Sequence, residues 1–348
     1  MKKVLGIFRG FPGLGRVVAG VSLLETLRDK YACDIRFISY LQGDKYLKAR
    51  GYGGLQDVTP LDYCSIGLLP TNRMGAYIHN TINEFTPDLI VIDGEPLILQ
   101  SIRISHQGVK IVALLNPADV DNPDNDKEAM DFFNGMYSLS DLAIVHGLRI
   151  VEKDIRYNKF ISINTIIRQE IIPVKNIPTN NIYCILGGGT VNVGQQFEDS
   201  TLRIGELCQS VASFLPNYTM HIICSSENIS NVLILSAFSS NVLIHEDIIS
   251  AKKYYTDACL VVTRSGRNTL SELAYLGIPA ISFVSGCSYR KVEQINNIND
   301  LRAPSIVSVP LDISQEDFAK LCASMIGFKA VNHLVPGNDE AINAILRL

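Results

Sequence analysis

The stretch Asp257–Phe283 constrains this chain more than any other. Ala258-Cys259-Leu260-Val261-Val262 is an apolar run rich in β-branched residues, which predicts a strand buried on both faces. Thr263-Arg264-Ser265-Gly266-Arg267-Asn268 follows with the small, polar and glycine residues of a turn. From Thr269 the apolar residues Leu270, Leu273, Ala274 and Leu276 recur at helical spacing, and Gly277 with Pro279 ends the run. A strand feeding a helix through a glycine turn aims the helix's first N–H groups at one point. The helix dipole favours an anion there. Arg264 and Arg267 flank that point. A second reading of the same residues stays open. Thr269-Leu270-Ser271-Glu272 fits the S/T-x-x-E capping box, in which both side chains serve only the helix's own backbone.

The same strand–turn–helix plan opens the chain. Val4–Phe8 predicts a strand, Gly10-Phe11-Pro12-Gly13-Leu14-Gly15 a glycine-rich turn, and Val17–Leu27 a helix, the first unit of a doubly wound sheet. The glycine spacing is wrong for the G-x-G-x-x-G of a nicotinamide site. Asp34–Tyr40, Asp88–Ile92, Val109–Leu115 and Leu142–Val145 continue the alternation. Three of these strands run into Asp93-Gly94-Glu95-Pro96, Asn116-Pro117 and His146-Gly147. Ligands of open α/β sheets collect beyond the carboxyl ends of the strands. The alternative is that these polar residues only begin loops. In the second half, Ile182–Leu186 delivers Gly187-Gly188-Gly189-Thr190 ahead of a helix over Phe197–Leu207. Thr219–Cys224, Val242–Ile244, Ala280–Val284 and Ser305–Pro310 supply further strands, and Ser314–Ile326 and Asp339–Leu348 the closing helices. The acid-rich run Asp119–Asp126 contains D-x-D spacings, but its proline and asparagines predict a solvated loop in place of a metal site.

At 348 residues the chain is long enough for two domains, each with its own core. Apolar residues make up 47% and charged residues 19%, which excludes a disordered chain. A net charge of −4 gives no general attraction for nucleic acid or anionic lipid. Eight cysteines are scattered without a C-x-x-C pair, several in strand-like runs, and predict buried reduced thiols. Arg9, Pro12 and Arg16 break the first apolar run too early for an export signal, and no apolar segment is long enough to span a bilayer. A cytoplasmic location follows as an expectation, with work at a membrane surface compatible with it.

Thr263-Arg264-Ser265-Gly266-x-x-Thr269-x-x-Glu272-x-x-x-x-Gly277-x-Pro279 resembles the nucleotide-sugar signature of MurG-like glycosyltransferases. The resemblance implies an α/β chain of the GT-B fold, two facing Rossmann-like domains with parallel sheets. On this chain those are residues 1–165 on the acceptor side and 175–337 on the nucleotide-sugar side. A linker lies between about 160 and 178, and a helix over 338–348 packs back on the first domain. It also implies a UDP-hexose or UDP-N-acetylhexosamine as co-substrate, with no other cofactor and no metal. The diphosphate would meet Gly188, Gly189, Thr190, Ser265, Gly266, Asn268, Thr269 and, from the interdomain segment, Arg168. Glu272 would grip the ribose and Ile248 would lie against the base. Glu293-Gln294-x-x-Asn297 is similar to the family's donor-sugar motif, which implies Glu293 and Gln294 at the sugar's hydroxyls and Asn297 in a structural hydrogen bond.

In the first half the family usually reads Gly-x-Gly-His where this chain has Gly13-Leu14-Gly15-Arg16. A guanidinium does not give up its proton, so Arg16 is no base. Gly13, Gly15, Arg16 and Asn116 are expected at the acceptor cleft. The base that takes the acceptor's proton is expected among Asp93, Glu95 and His146. Asp93-x-Glu95-Pro96 also resembles a motif of some MurG-like transferases. The implied reaction is inverting displacement by a small-molecule, lipid-linked or peptide acceptor, without nucleic acid or a transmembrane segment, and with a homodimer compatible. Two alternatives remain: a nucleotide-sugar hydrolase of the same fold, and a nucleotide-sugar-binding scaffold without turnover.

Overall fold

Runs of branched aliphatics between helices become strands whose two faces are both covered, as parallel sheets require. The computed structural model describes residues 3–10, 13–53, 73–123, 126–186, 195–224, 227–236, 239–246, 251–284, 288–328 and 334–348. The chain divides into two units, residues 1–169 with 336–348, and residues 170–335.

The first unit runs β1 (Lys3–Phe8), α1 (Gly15–Tyr31), β2 (Asp34–Ile38), α2 (Gln42–Ala49), α3 (Arg73–Phe85) and β3 (Leu89–Asp93). It continues through α4 (Pro96–Ser105), β4 (Lys110–Leu115), α5 (Pro117–Val120), α6 (Lys127–Tyr137), β5 (Leu142–Gly147) and β6 (Phe160–Asn164). The second runs β7 (Asn181–Ile185), α7 (Gln195–Ala212), β8 (Thr219–Cys224), α8 (Glu227–Leu235), β9 (Val242–Glu246) and α9 (Ala251–Tyr255). It closes with β10 (Ala258–Arg264), α10 (Arg267–Leu276), β11 (Ala280–Phe283), α11 (Ser288–Leu301), β12 (Ile306–Val309) and α12 (Gln315–Met325). Helix α13 (Asn338–Leu346) belongs again to the first unit.

Each unit holds a six-stranded parallel sheet, ordered β2-β1-β3-β4-β5-β6 in the first and β12-β11-β10-β7-β8-β9 in the second. Side chains alternate across the first sheet, as the period of two dictates. Val4, Phe8 and Val91 pack with Leu23 and Leu27 of α1 and Ile342 and Ile345 of α13. Leu5, Ile7 and Ile92 turn the other way, towards Ile78 and Ile82 of α3 and Leu99 and Ile102 of α4. The second sheet buries Ile182, Leu260 and Ile281 against Leu207 and Val211 of α7 and Phe318 of α12. Cys33, Cys184, Cys208, Cys224, Cys259 and Cys322 are buried free thiols. No helix among the described residues is long and apolar enough to cross a membrane.

In both sheets the chain order reverses once, between β1 and β3 and between β7 and β10. Such a switch point opens a crevice at the strands' carboxyl ends, where open α/β sheets bind ligands. The two stretches that carry the motifs thus sit at the two places where the topology makes room.

Strand β6, at the start of the stretch from about 160 to 178 read as a linker, is the edge strand of the first sheet, in register from Ala143↔Phe160 to Gly147↔Asn164, and the two units part between Gln169 and Glu170. Phe-Ile-Ser-Ile-Asn is half-polar because an edge strand is only half-covered. Past β6 the backbone is still anchored. The buried Asn338 amide accepts from Ile167 N at 2.9 Å and donates to Ile167 O at 2.8 Å. Ser22 Oγ donates to Ile167 O and accepts from Gln169 N at 3.0 Å. Asn338→Ala is expected to leave the buried N–H of Ile167 without its partner, while its C=O keeps Ser22 Oγ, a cost of about 1–3 kcal/mol. Chemical denaturation followed by probes in each unit should show the first unit unfolding earlier and the second unmoved.

Candidate functional site

At the first switch point, three carboxylates and two guanidiniums meet. Strand β1 runs on into Arg9, whose N donates to Asp93 O at 2.9 Å, so Arg9 lies beside the end of β3. Past β3 the chain turns through Gly94 at φ +84°, where a side chain would come within 2.7 Å of Arg16 Cδ and 2.8 Å of Arg9 Cβ. Only glycine allows that turn and that approach together. The turn places Asp93 and Glu95 side by side at the sheet's end, and Pro96 begins α4. Gly10 serves the same corner, since a Cβ there would fall 1.8 Å from Tyr40 O. This close contact brings the segment after β2 over β1.

The charges then pair. Arg16, in the first turn of α1, donates through Nη1 to Asp93 Oδ1 and through Nη2 to Asp119 Oδ1 at 2.8 Å. Asp119 Oδ2 accepts from Asn116 N at 2.8 Å, within the tight turn after β4. Burial works against the charged form of Asp119, but Arg16 and that backbone N–H hold its carboxyl below the usual carboxylate range. Arg9 Nη2 donates to Gly94 O, and its Nε lies 3.7 Å from Glu95 Oε1. Tyr40 Oη donates to Glu95 Oε1 at 2.8 Å. Burial, then the neighbouring Glu95, keeps the Tyr40 phenol well above its ordinary pKa, so it remains a donor.

Glu95 is the unbalanced member. With Asp93 and Asp119 both paired to Arg16, burial raises the Glu95 carboxyl from 4.5 to about 7, against the pull of Arg9, Tyr40 and Arg16. Glu95 is 1% exposed, and its Oε2 has no hydrogen-bond partner among the described residues. A buried carboxyl poised near neutrality is suited to proton transfer. His146, at the end of β5, is fully buried as well. Gly13 and Gly15 lie at the start of α1, with Gly15 exposed. The first site thus collects Asp93, Glu95, Arg16 and Asn116.

Sequence reasoning missed Arg9, Tyr40 and Asp119. The acid-rich loop had been read as solvated, yet its first member, Asp119, is an ion-pair partner in the buried cluster. Asn116-Pro117-x-Asp119 was the clue: proline at a first helical position and an acid three residues past the cap mark a helix start. Further along the loop, Asp121 pairs with Arg149 at 3.0 Å, and Asp126 caps α6 by accepting from Ala129 N at 2.7 Å.

At the second switch point, β10 runs two residues further than its sequence predicts, to Arg264. Thr263 Oγ1 donates to Ile185 O at 2.9 Å, tying the ends of β10 and β7 together. Ser265 is fully buried and fixes the turn: its N and Oγ both donate to Phe283 O at 3.1 Å. Asn297 Nδ2 donates to Ser265 O at 3.1 Å, the structural hydrogen bond expected of it. Helix α10 begins at Arg267 behind Gly266, and no side chain among the described residues caps it. Gly266 is exposed, and a methyl group there would meet no atom within 4 Å. Asn268 and Thr269 occupy the next two helical positions, half-buried. Thr269 is therefore not the residue before the helix, and the capping-box reading of Thr269 and Glu272 fails. Glu272 sits one turn in and is 1% exposed. On α11, Glu293 is exposed and Gln294 buried. Gly188, Gly189, Thr190 and Ile248 lie outside the described residues. Arg168, half-buried, belongs to the first unit, its neighbours pinned by Ser22 and Asn338.

Comparison with known proteins adds the family context. Residues 203–307 match the glycosyltransferase family 28 C-terminal domain, a span that contains β10, the open turn and α10. MurG from Acinetobacter baumannii is similar over 100% of both chains, at 13% identity and a TM-score of 0.60. The calicheamicin glycosyltransferase CalG4 is similar over 99% of this chain and 94% of its own, at 13% identity and a TM-score of 0.61. UGT89C1 of Arabidopsis thaliana, solved with UDP-L-rhamnose, is similar over 98% of this chain and 94% of its own, at 12% identity and a TM-score of 0.60. No curated protein matches in sequence. The chain is MurG-like in fold, a GT-B protein whose second unit carries the family 28 match.

Two expectations follow. A carboxyl whose folded pKa lies above its unfolded value binds its proton more tightly when folded. The stability it contributes is full below the unfolded value of 4.5 and is lost as pH rises through about 7. That gap corresponds to about 3 kcal/mol, so Glu95→Gln should match or exceed the wild-type stability at pH 8, an advantage that disappears at pH 5, read by denaturant melts at both. On the second unit, the burial of Glu272 makes alanine a poor probe, since it would leave a cavity. Glu272→Gln keeps the volume; calorimetry should show UDP binding at least about 10-fold weaker, the worth of one charged hydrogen bond, with the melting temperature little changed.

Proposed function

We propose that this chain is an inverting glycosyltransferase that moves a hexose or N-acetylhexosamine from a UDP-sugar to a hydroxyl acceptor. What carries the reading is the open, uncapped start of α10 at the second switch point, inside the family 28 match. The early helix N–H groups at Asn268 and Thr269 suit a diphosphate, with the bare backbone of Gly266 beside them and Gly188, Gly189, Thr190, Arg264 and Arg267 as further contacts. Glu272 and Ile248 take the nucleoside, and Glu293 and Gln294 the sugar.

The first unit supplies the proton chemistry. Asp93 is occupied by Arg16, and Glu95 acts as general base. Its Oε2 takes the acceptor's O–H proton as that oxygen attacks the anomeric carbon. The bond from that carbon to the β-phosphate oxygen breaks, its electron pair leaves with UDP, and the configuration inverts. Charge developing on the leaving diphosphate falls on the helix tip and arginines, a preorganised electrostatic stabilisation that needs no metal.

The test is UDP release from a panel of UDP-sugars, with and without candidate alcohols and with EDTA present. The expected result is acceptor-dependent release, unaffected by EDTA, rising with pH to a plateau above about 7. Glu95→Gln should lose about 10²- to 10⁴-fold in rate, the usual worth of a general base, and keep its affinity for UDP. Release without acceptor would point to a hydrolase, UDP binding without release to a scaffold, and a pH-independent rate would remove Glu95 from the chemistry.

A further inference from the structure

In the first unit's cluster, Arg9 Nε, a donor, and Glu95 Oε2, an acceptor, are both buried without a hydrogen-bond partner among the described residues. Their neighbours on the same side chains are committed. Arg9 Nη2 is bound to Gly94 O, and Glu95 Oε1 to Tyr40 Oη at 2.8 Å. The two groups approach to 3.7 Å, between Arg9 Nε and Glu95 Oε1, too far for a direct hydrogen bond. Leaving a buried charged group short of a partner is costly, and native proteins rarely keep such atoms without a use. One oxygen at about 2.8–3.0 Å from each atom answers both.

We propose that Arg9 and Glu95 form a two-point receptor for a neutral hydroxyl, the nucleophilic oxygen of an alcohol acceptor. Arg9 Nε–H donates to that oxygen, and Glu95 Oε2 accepts its hydrogen. The identity of this hydroxyl as the nucleophile rests on the glycosyl-transfer reading above; the receptor itself does not.

The chemistry of the pair excludes other groups. An ammonium has only donors, so it leaves Arg9 Nε–H unmet and sets two cations together. A carboxylate or phosphate has only acceptors and opposes Glu95. A hydroxyl is donor and acceptor at once. It also needs little room, and the rim is partly open, with the side chains of Arg9, Arg16 and Asp119 at 14%, 18% and 22% exposure. Arg9 polarises the hydroxyl oxygen while Glu95 waits for its proton, so both contacts favour deprotonation along one O–H bond.

The test is crystallographic, on the full chain, with ethane-1,2-diol as the probe. The expected result is an oxygen within hydrogen-bond distance of both Arg9 Nε and Glu95 Oε2, a water in plain crystals and a diol hydroxyl after soaking. Arg9→Lys, which keeps the charge but removes the Nε–H, should need about a 10-fold higher diol concentration for equal occupancy. Arg9 and Glu95 bonded directly to each other, or equal occupancy in Arg9→Lys, would overturn the receptor. A water that the diol never displaces would overturn the alcohol. UDP release measured on the same preparation separates the two claims. A bound diol with no release sinks the transferase reading alone, and release with a closed pair sinks the receptor alone.

Discussion

Arg16 between Asp93 and Asp119 is the interaction around which the first unit's buried charges are arranged. Buried charges must be matched, because taking an ion out of water costs several kcal/mol that only a well-placed counter-ion returns. One guanidinium facing two carboxylates holds the Asp119 carboxyl below the usual range and pairs with Asp93, and Arg9 is the other described cation in the cluster. The third acid, Glu95, then sits where one more negative charge is hard to hold. Its high pKa comes first from burial; Arg9, Tyr40 and Arg16 pull it back down, and the neighbouring Asp93 adds to the rise. Arg16 cannot itself accept a proton, so in the reaction proposed here that role falls to Glu95.

The two units solve a similar problem with opposite charge. Each is a parallel sheet with one reversal of strand order, and each presents a helix without a side-chain cap beside that reversal. In the second unit the polarised tip of α10 is left open, and the turn before it is held from behind by Phe283 and Asn297. In the first the start of α1 carries Arg16, and carboxylates gather round it. The fold gives the same opening twice; the side chains make one fit for an anion and the other fit for a proton.

Much of this could be read in the sequence, for a physical reason. Strands buried on both faces must be continuously apolar, so β3, β4, β5 and β10 stood out, and the residues just beyond them had to lie at the sheets' open ends. Asp93, Glu95 and Asn116 came from that rule, and Ser265 from the resemblance of the turn after β10 to a nucleotide-sugar signature. What was not legible depends on contacts between distant parts of the chain. Tyr40 meets Glu95 across 55 residues and Arg16 meets Asp119 across 103, and no local pattern announces either. The edge strand β6 was lost because half its residues face away from the sheet's cover. Asp119 was lost because its acidic neighbours made a functional residue look like part of a solvated run.

The most direct measurement is the titration of the Glu95 side-chain carboxyl, followed by carbon NMR in the wild type and assigned by its absence in Glu95→Gln. The account predicts a midpoint near pH 7, falling towards the ordinary range when Asp93 is replaced by asparagine and a neighbouring negative charge is removed. A midpoint near 4.3, the value of an exposed glutamate, would show that the cluster carries its third charge without strain, and the assignment of Glu95 would fall with it.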